Sequence, residues 1–245
     1  KDDVPKSLIP HGVAASVVFD RATSNAEAVP MTGALGDQLR DAADGHRGVR
    51  LIGIDGDGSV SINETVDMTP RLENGTILKV EDRAQEATAK SLAAVADVIN
   101  GSAAEVQGQA MFLGLSRLQL DTDAPVYIVS SLLDTTDPVD MRSLGWDFSA
   151  DELIVELDAA GELPDLTDAE VIFVVRPVSG SQEQLRQPHI EYREAVWTAL
   201  ATASGARSVT FEYPDGSPSS ATLAAPVVPI PPPPTTPVPV SEPEP

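Results

Sequence analysis

Short runs of β-branched and aliphatic residues recur along the chain, at Val13 to Asp20, Val49 to Ile54, Val126 to Val129, Val171 to Val175 and Ser208 to Phe211. The stretches between them carry apolar residues at helical spacing instead. Val29 to Asp44 reads as one helix, and Ala84 to Asn100, with Thr88, Leu92, Val95 and Ile99 on one face, as another that Gly101 stops. Val106, Ala110 and Leu113 mark a third; Ile190, Trp197, Leu200 and Ala201 line the face of a fourth. Ser59 to Asp67 alternates apolar and polar residues like a half-exposed strand. Six strands interleaved with helices predict an α/β fold, a doubly wound, mostly parallel central sheet with helices on both faces. Aromatic residues make up only 4% of the chain, so its 42% apolar content must build the core from Val, Ile, Leu and Ala, which suits β-branched strands under Ala-rich helices. Gly145 to Leu166 is the least periodic stretch, read as a long excursion holding a short strand or helix over Glu152 to Leu157.

At the other end of the chain, 10 of the 21 prolines fall after residue 225. A segment so poor in backbone donors favours polyproline II and acts as a semi-rigid spacer. The organisation expected is therefore an N-terminal extension over 1–12, one domain over 13–213 ending near Tyr213, and a Pro-rich linker over 214–245.

The functional signal is Asp20. It ends the apolar run Ala14-Ala15-Ser16-Val17-Val18-Phe19 and hands over to Arg21-Ala22-Thr23-Ser24. Open parallel sheets bind ligands just beyond the carboxyl ends of their strands, where loops diverge. Val126 to Val129 repeats the arrangement, leading into Ser130-Ser131-Leu132-Leu133-Asp134-Thr135-Thr136. Two such edges predict one crevice.

The composition excludes several classes. With 16 basic against 38 acidic residues the net charge is −22, and a field of that sign repels phosphate backbones and anionic headgroups, so no nucleic-acid partner is expected. The absence of cysteine removes disulfides, thiolate metal sites and a cysteine nucleophile. No apolar stretch approaches the length of a membrane span. The first residue is Lys1, which suggests a processed or excised piece whose anchor would lie upstream. There is no Gly-x-Ser-x-Gly elbow, Ser181 beside Gly180 included, and no phosphate-cradling loop with a following Lys. Asp55-Gly56-Asp57-Gly58-Ser59 fails the calcium-loop pattern, because Val60 and Val66 stand where Gly and Glu are needed, and reads as a hairpin turn. His11, His46 and His189 have no ligand-spaced partners and read as exposed or capping residues. Trp146 and Phe148 read as rim aromatics sealing the sheet end, with an exposed contact role as the alternative.

Asp20-x-x-x-Ser24 after the first strand, Gly101-Ser102 opening a mid-chain helix and the Ser-rich loop after the fourth strand resemble the von Willebrand factor A fold. Val129 to Thr136, Leu163-Pro164-Asp165-Leu166, Tyr192 to Trp197 and Ala203-Ser204-Gly205-Ala206 are similar to the A-like region ahead of an OmpA-type peptidoglycan-binding domain in actinobacterial envelope proteins. The resemblance implies a crevice of Asp20, Ser24, Ser102, Ser131 and Asp134, in the place where that family gathers an Asp-x-Ser-x-Ser motif, a Thr and an Asp around a divalent cation. Asp20 and Ser24 match, Ser102 can stand in for the Thr, Ala22 replaces a hydroxyl, and Ser131-Leu132 aligns with the family's Asp-Gly pair. Asp20, Ser24 and Ser102 would hold magnesium or calcium weakly at best, so no cofactor is expected. The function expected is a non-catalytic interaction or structural module of the extracytoplasmic envelope. Its partner would be an envelope protein or wall component, and it would meet the membrane only through an upstream anchor. The alternatives are a cation-dependent adhesion domain and a hydrolase using Asp20 and Asp134 as a carboxylate pair.

Overall fold

The central strands are apolar on both sides, so both faces of the sheet must be covered. In the computed structural model, which describes residues 12–72 and 74–231, they are. Strands β1 (Val13–Asp20), β2 (Gly48–Ile54), β3 (Val60–Asp67), β4 (Val126–Ser130), β5 (Glu170–Val175) and β6 (Ser208–Glu212) form one sheet in the order β3-β2-β1-β4-β5-β6. All neighbours are parallel except β3, which runs antiparallel to β2. Residues alternate between the two layers. Val17, Phe19, Leu51, Val129 and Val174 pack under helices α1 (Gly33–Asp44) and α2 (Glu81–Gly101), through Leu35, Leu39, Val95 and Ile99. Val18, Ile52, Ile128, Val171 and Phe173 pack under α3 (Met111–Ser116), α5 (Ala150–Ala160) and α6 (Gln187–Ala203), through Phe112, Leu157, Trp197 and Leu200. A one-turn helix, α4 (Met141–Leu144), precedes α5.

The Asp-Gly segment makes the β2–β3 hairpin: the Gly58 N–H donates to the Asp55 carbonyl at 2.9 Å, and Gly58 takes the left-handed conformation (φ 77°) that the turn requires. The excursion after Gly145 resolves as a helix. Ser149 accepts a bond from the Glu152 N–H at its start, and Gly161 in the left-handed region ends it.

Four expectations are corrected. The first helix begins at Gly33 instead of Val29, because the Val29 N–H and carbonyl are taken by bonds of 3.0 and 2.9 Å with the Asn100 side chain. The third helix begins at Met111, not Val106. Gly101 and Ser102 end α2 and open no helix.

The fourth correction concerns the domain boundary. The chain does not leave the domain near Tyr213 but runs back across it as far as Pro231. Ser217 bridges to Ala28, the Leu223 carbonyl accepts from Ser24, and Val228 is bound by Gln182 through bonds of 2.9 and 3.0 Å. Trp146 Nε1 donates to the Pro229 carbonyl at 2.8 Å, and Val228, 1% exposed, packs with Leu133, Met141 and Val178. Trp146 and Phe148 thus seal this segment against Tyr192. The rest of the expected linker, 232–245, and the extension over 1–11 with His11 lie outside the described residues. Truncation after Tyr213 is therefore expected to lower stability in urea by about 2–4 kcal/mol, from the lost burial of Val228 and Ala225 and the opened bonds of Gln182. An unchanged midpoint would refute this packing.

Candidate functional site

Strand order reverses between β1 and β4, whose connections leave in opposite directions, so the crevice of a doubly wound sheet must open above Asp20 and Ser130. That position is filled. The segment between α2 and α3 lies across it, stitched to β1 by bonds from Ala22 N–H to the Ser102 carbonyl and from Ala104 N–H to the Ala22 carbonyl. Asp55 binds the same segment from β2: its carboxylate accepts from the N–H groups of Glu105 and Val106 and from the Arg21 guanidinium at 2.9 Å. Gly56 and Gly108 allow the close approach. A Cβ on either would lie 2.3 Å from a backbone oxygen of the facing segment.

Gln109 is the residue that gathers the site. Its Nε2 donates to Asp20 Oδ2 and to Ser131 Oγ, both at 2.7 Å, and its Oε1 accepts from Ser131 Oγ at 3.1 Å. Its own N–H donates to Thr135 Oγ1 at 2.9 Å, while Thr136 Oγ1 donates to the Gly56 carbonyl. Asp134, fully buried, accepts from the Phe112 N–H at 2.7 Å and leaves Oδ1 without a partner. Of the five residues expected in the crevice, Asp20 and Ser131 share this network, while the Asp134 side chain turns to the Phe112 N–H instead. Ser24 and Ser102 do not enter it through their hydroxyls. Ser24 is pinned by its backbone to Leu223 and Ser179 and turns its hydroxyl to Asn25, and Ser102 contributes its carbonyl to Ala22. Ala22 is buried against Ala103. His46 sits in the turn after α1, and His189 packs its ring 4.8 Å from that of Trp146.

Burial raises the Asp20 carboxyl, opposed by its bonds with Ser130 and Gln109 and by the charge of Arg176. Burial also raises Asp134 well above the usual range, reinforced by the charge of Asp20. Such groups favour the protonated form in the folded state, so their contribution to stability is present below the unfolded carboxylate range and is lost as pH rises through their folded values. Replacing Asp134 by Asn, which keeps the acceptor for Phe112 and cannot ionise, is expected to gain stability on the wild type as pH rises above the ordinary carboxylate range in denaturant titrations. A difference independent of pH would refute it.

The residues do not fit a divalent cation. Asp20 spends its carboxylate on Gln109 and lies in the field of the buried Arg176 guanidinium, and among the described residues no group of three or more Asp, Glu or His side chains is placed to hold a metal. The space between Asp20, Arg21, Thr23, Asp55, Gln109 and Arg176 is about 10 Å³, room for about one water. Millimolar magnesium or calcium is accordingly expected to leave the melting temperature unchanged, and a saturable rise would refute this. Comparison with family models and with curated proteins finds no match.

Gln109, Asp55 and Arg176 escaped the sequence reading. Each acts across 21 or more residues of chain, and no local spacing signals such a contact.

Proposed function

We propose that the chain is a non-catalytic interaction or structural module of the extracytoplasmic envelope, with a von Willebrand factor A-like fold and a peptidoglycan-binding domain downstream. The observation that carries this reading is the backbone at Leu132. This buried leucine stands where the family's fourth-strand Asp-Gly pair has its glycine, and it holds φ at 59°, a conformation that favours glycine. The alternating strand order and the polar network at the β1/β4 reversal support the same reading. Ser131 in place of the carboxylate and Ala22 in place of the hydroxyl take away the ligands that cation-dependent adhesion needs. A glycosidase reading requires two carboxyl groups flanking a space for a sugar. Asp20 and Asp134 instead lie buried beneath the 102–110 segment.

The surface left for a partner is the crest of that segment, where Glu105, Val106 and Gln107 are exposed. A photo-crosslinking residue at Val106, in cells expressing the full-length protein, is expected to capture an envelope protein or wall component whether or not a chelator is present. Purified protein is expected to release nothing from cell wall. Wall hydrolysis abolished by Asp20→Asn would overturn the reading in favour of a hydrolase. Capture abolished by chelator would overturn it in favour of cation-dependent adhesion.

A further inference from the structure

Arg176 and Arg193 are 2% and 3% exposed, yet neither has a carboxylate within salt-bridge distance among the described residues. This is unexpected in a chain of net charge −22. A buried guanidinium is normally matched by an anion, because removing its charge from water is costly unless something of opposite sign replaces the solvent. Here the matching groups are neutral. Arg176 donates to the carbonyls of Glu27 and Ile99 and to Asn100 Oδ1; Arg193 donates to the Ser131 carbonyl at 2.9 Å and more loosely to the Tyr213 hydroxyl. The Nε of each has no partner. The acidic charges that reach them are Asp20, acting on Arg176, and Glu194, which acts on Arg193 and is itself bound by the Tyr213 hydroxyl.

Arg193, beside Tyr213, lines a cavity of about 170 Å³ at the carboxyl end of β5; Arg176 also borders it, but its guanidinium turns to Glu27, Ile99 and Asn100. Its remaining walls are largely apolar, including Val175, Val178, Leu185 and Ile190. Gln184 and Tyr213, both exposed, also line it, so it can be entered from solvent. The chemistry is two-sided, with the Arg193 cation and an aliphatic wall. A fully hydrated dianion such as phosphate gains nothing from that wall, whereas an aliphatic acid uses both sides. The volume lies below the roughly 300 Å³ of pockets for drug-sized ligands. It suits a short acid or a single residue at the end of a peptide.

We propose that this cavity binds a carboxylate bearing a short branched aliphatic group, its oxygens facing Arg193 and its hydrocarbon on Val178, Leu185 and Ile190. The source of that chemistry is a free short-chain acid or the carboxyl terminus of a chain ending in an aliphatic residue.

The test is calorimetric titration of the purified chain with 3-methylbutyrate, acetate and inorganic phosphate, and with a tetrapeptide ending in valine, in its free-acid and amidated forms. Saturable binding of 3-methylbutyrate or the free-acid peptide is expected, roughly tenfold or more tighter than acetate for the three added carbons. Phosphate and the amidated peptide are expected not to bind. Whichever of the acid and the peptide binds more tightly identifies the source. Ile190→Phe, which fills the cavity and keeps the Arg193 charge, and Arg193→Gln are each expected to weaken binding at least tenfold. Ile190→Phe serves as the informative variant should Arg193→Gln fail to fold. The proposal is overturned if no carboxylate saturates the protein, if phosphate or acetate binds as tightly as 3-methylbutyrate, or if folded Ile190→Phe binds undiminished.

Discussion

Asp55→Ala is expected to lower the unfolding free energy by about 3–5 kcal/mol, the loss typical of breaking a buried ion pair from one side. The Asp55 side chain, 4% exposed, accepts from the Arg21 guanidinium and from the N–H groups of Gly56, Glu105 and Val106. Alanine leaves the N–H groups of Gly56, Glu105 and Val106 without this acceptor and Arg21 with only the exposed Glu105 carboxylate, and donors left unmet account for most of the cost. The 104–109 segment should loosen with it, so the variant is expected to gain a proteolytic cut there before global unfolding. Glu105→Gln is the matched control. Glu105 also pairs with Arg21 at 2.9 Å, but its side chain is 77% exposed, and solvent screening reduces such a pair to less than about 1 kcal/mol. Equal losses for the two variants in denaturant titrations would contradict the assignment of the latch to Asp55.

Trp197→Ala is expected to cost a similar 3–5 kcal/mol for a different reason. Trp197 is 2% exposed and meets Phe112 and Phe173 edge-on, with ring centroids 6.4 and 5.6 Å away. It ties α6 to the layer over β4 and β5. Its Nε1 also donates to the Leu132 carbonyl at 3.1 Å, which helps hold that residue at its positive φ. Trp197→Phe keeps most of the packing and loses this bond, so its expected loss is about 1–2 kcal/mol. Equal losses for the two variants would show that the ring volume is not what matters.

The strands were legible because a buried parallel strand must be apolar at every position, so Val13 to Asp20 and Val126 to Val129 announce themselves locally. Asp20 was legible for the same reason, as a carboxylate at the end of such a run. The helix over Ala150–Ala160 was not, since the cap bond from the Glu152 N–H to Ser149 and the turn at Gly161 outweigh a periodicity that Val155, 68% exposed, interrupts. Nor was the path of residues 214–231. Their prolines suit a spacer equally well, and only the bonds of Val228 with Gln182 and of Trp146 with Pro229 bind them to the domain.

By itself, then, the order of apolar runs and helical segments determined an α/β chain with a carboxylate at the end of its first strand, because burial on one or two faces constrains residue type at each position. Only the tertiary structure decided what becomes of that carboxylate. Gln109 joins Asp20 to Ser131 across 89 and 22 residues of chain, Asp55 fastens the segment above them, Arg176 reaches from the end of β5 to Ile99, and Arg193 reaches from α6 to Ser131. Contacts of that span form only after the sheet has brought distant segments together, and a hydrogen-bond partner far along the chain leaves no periodicity behind.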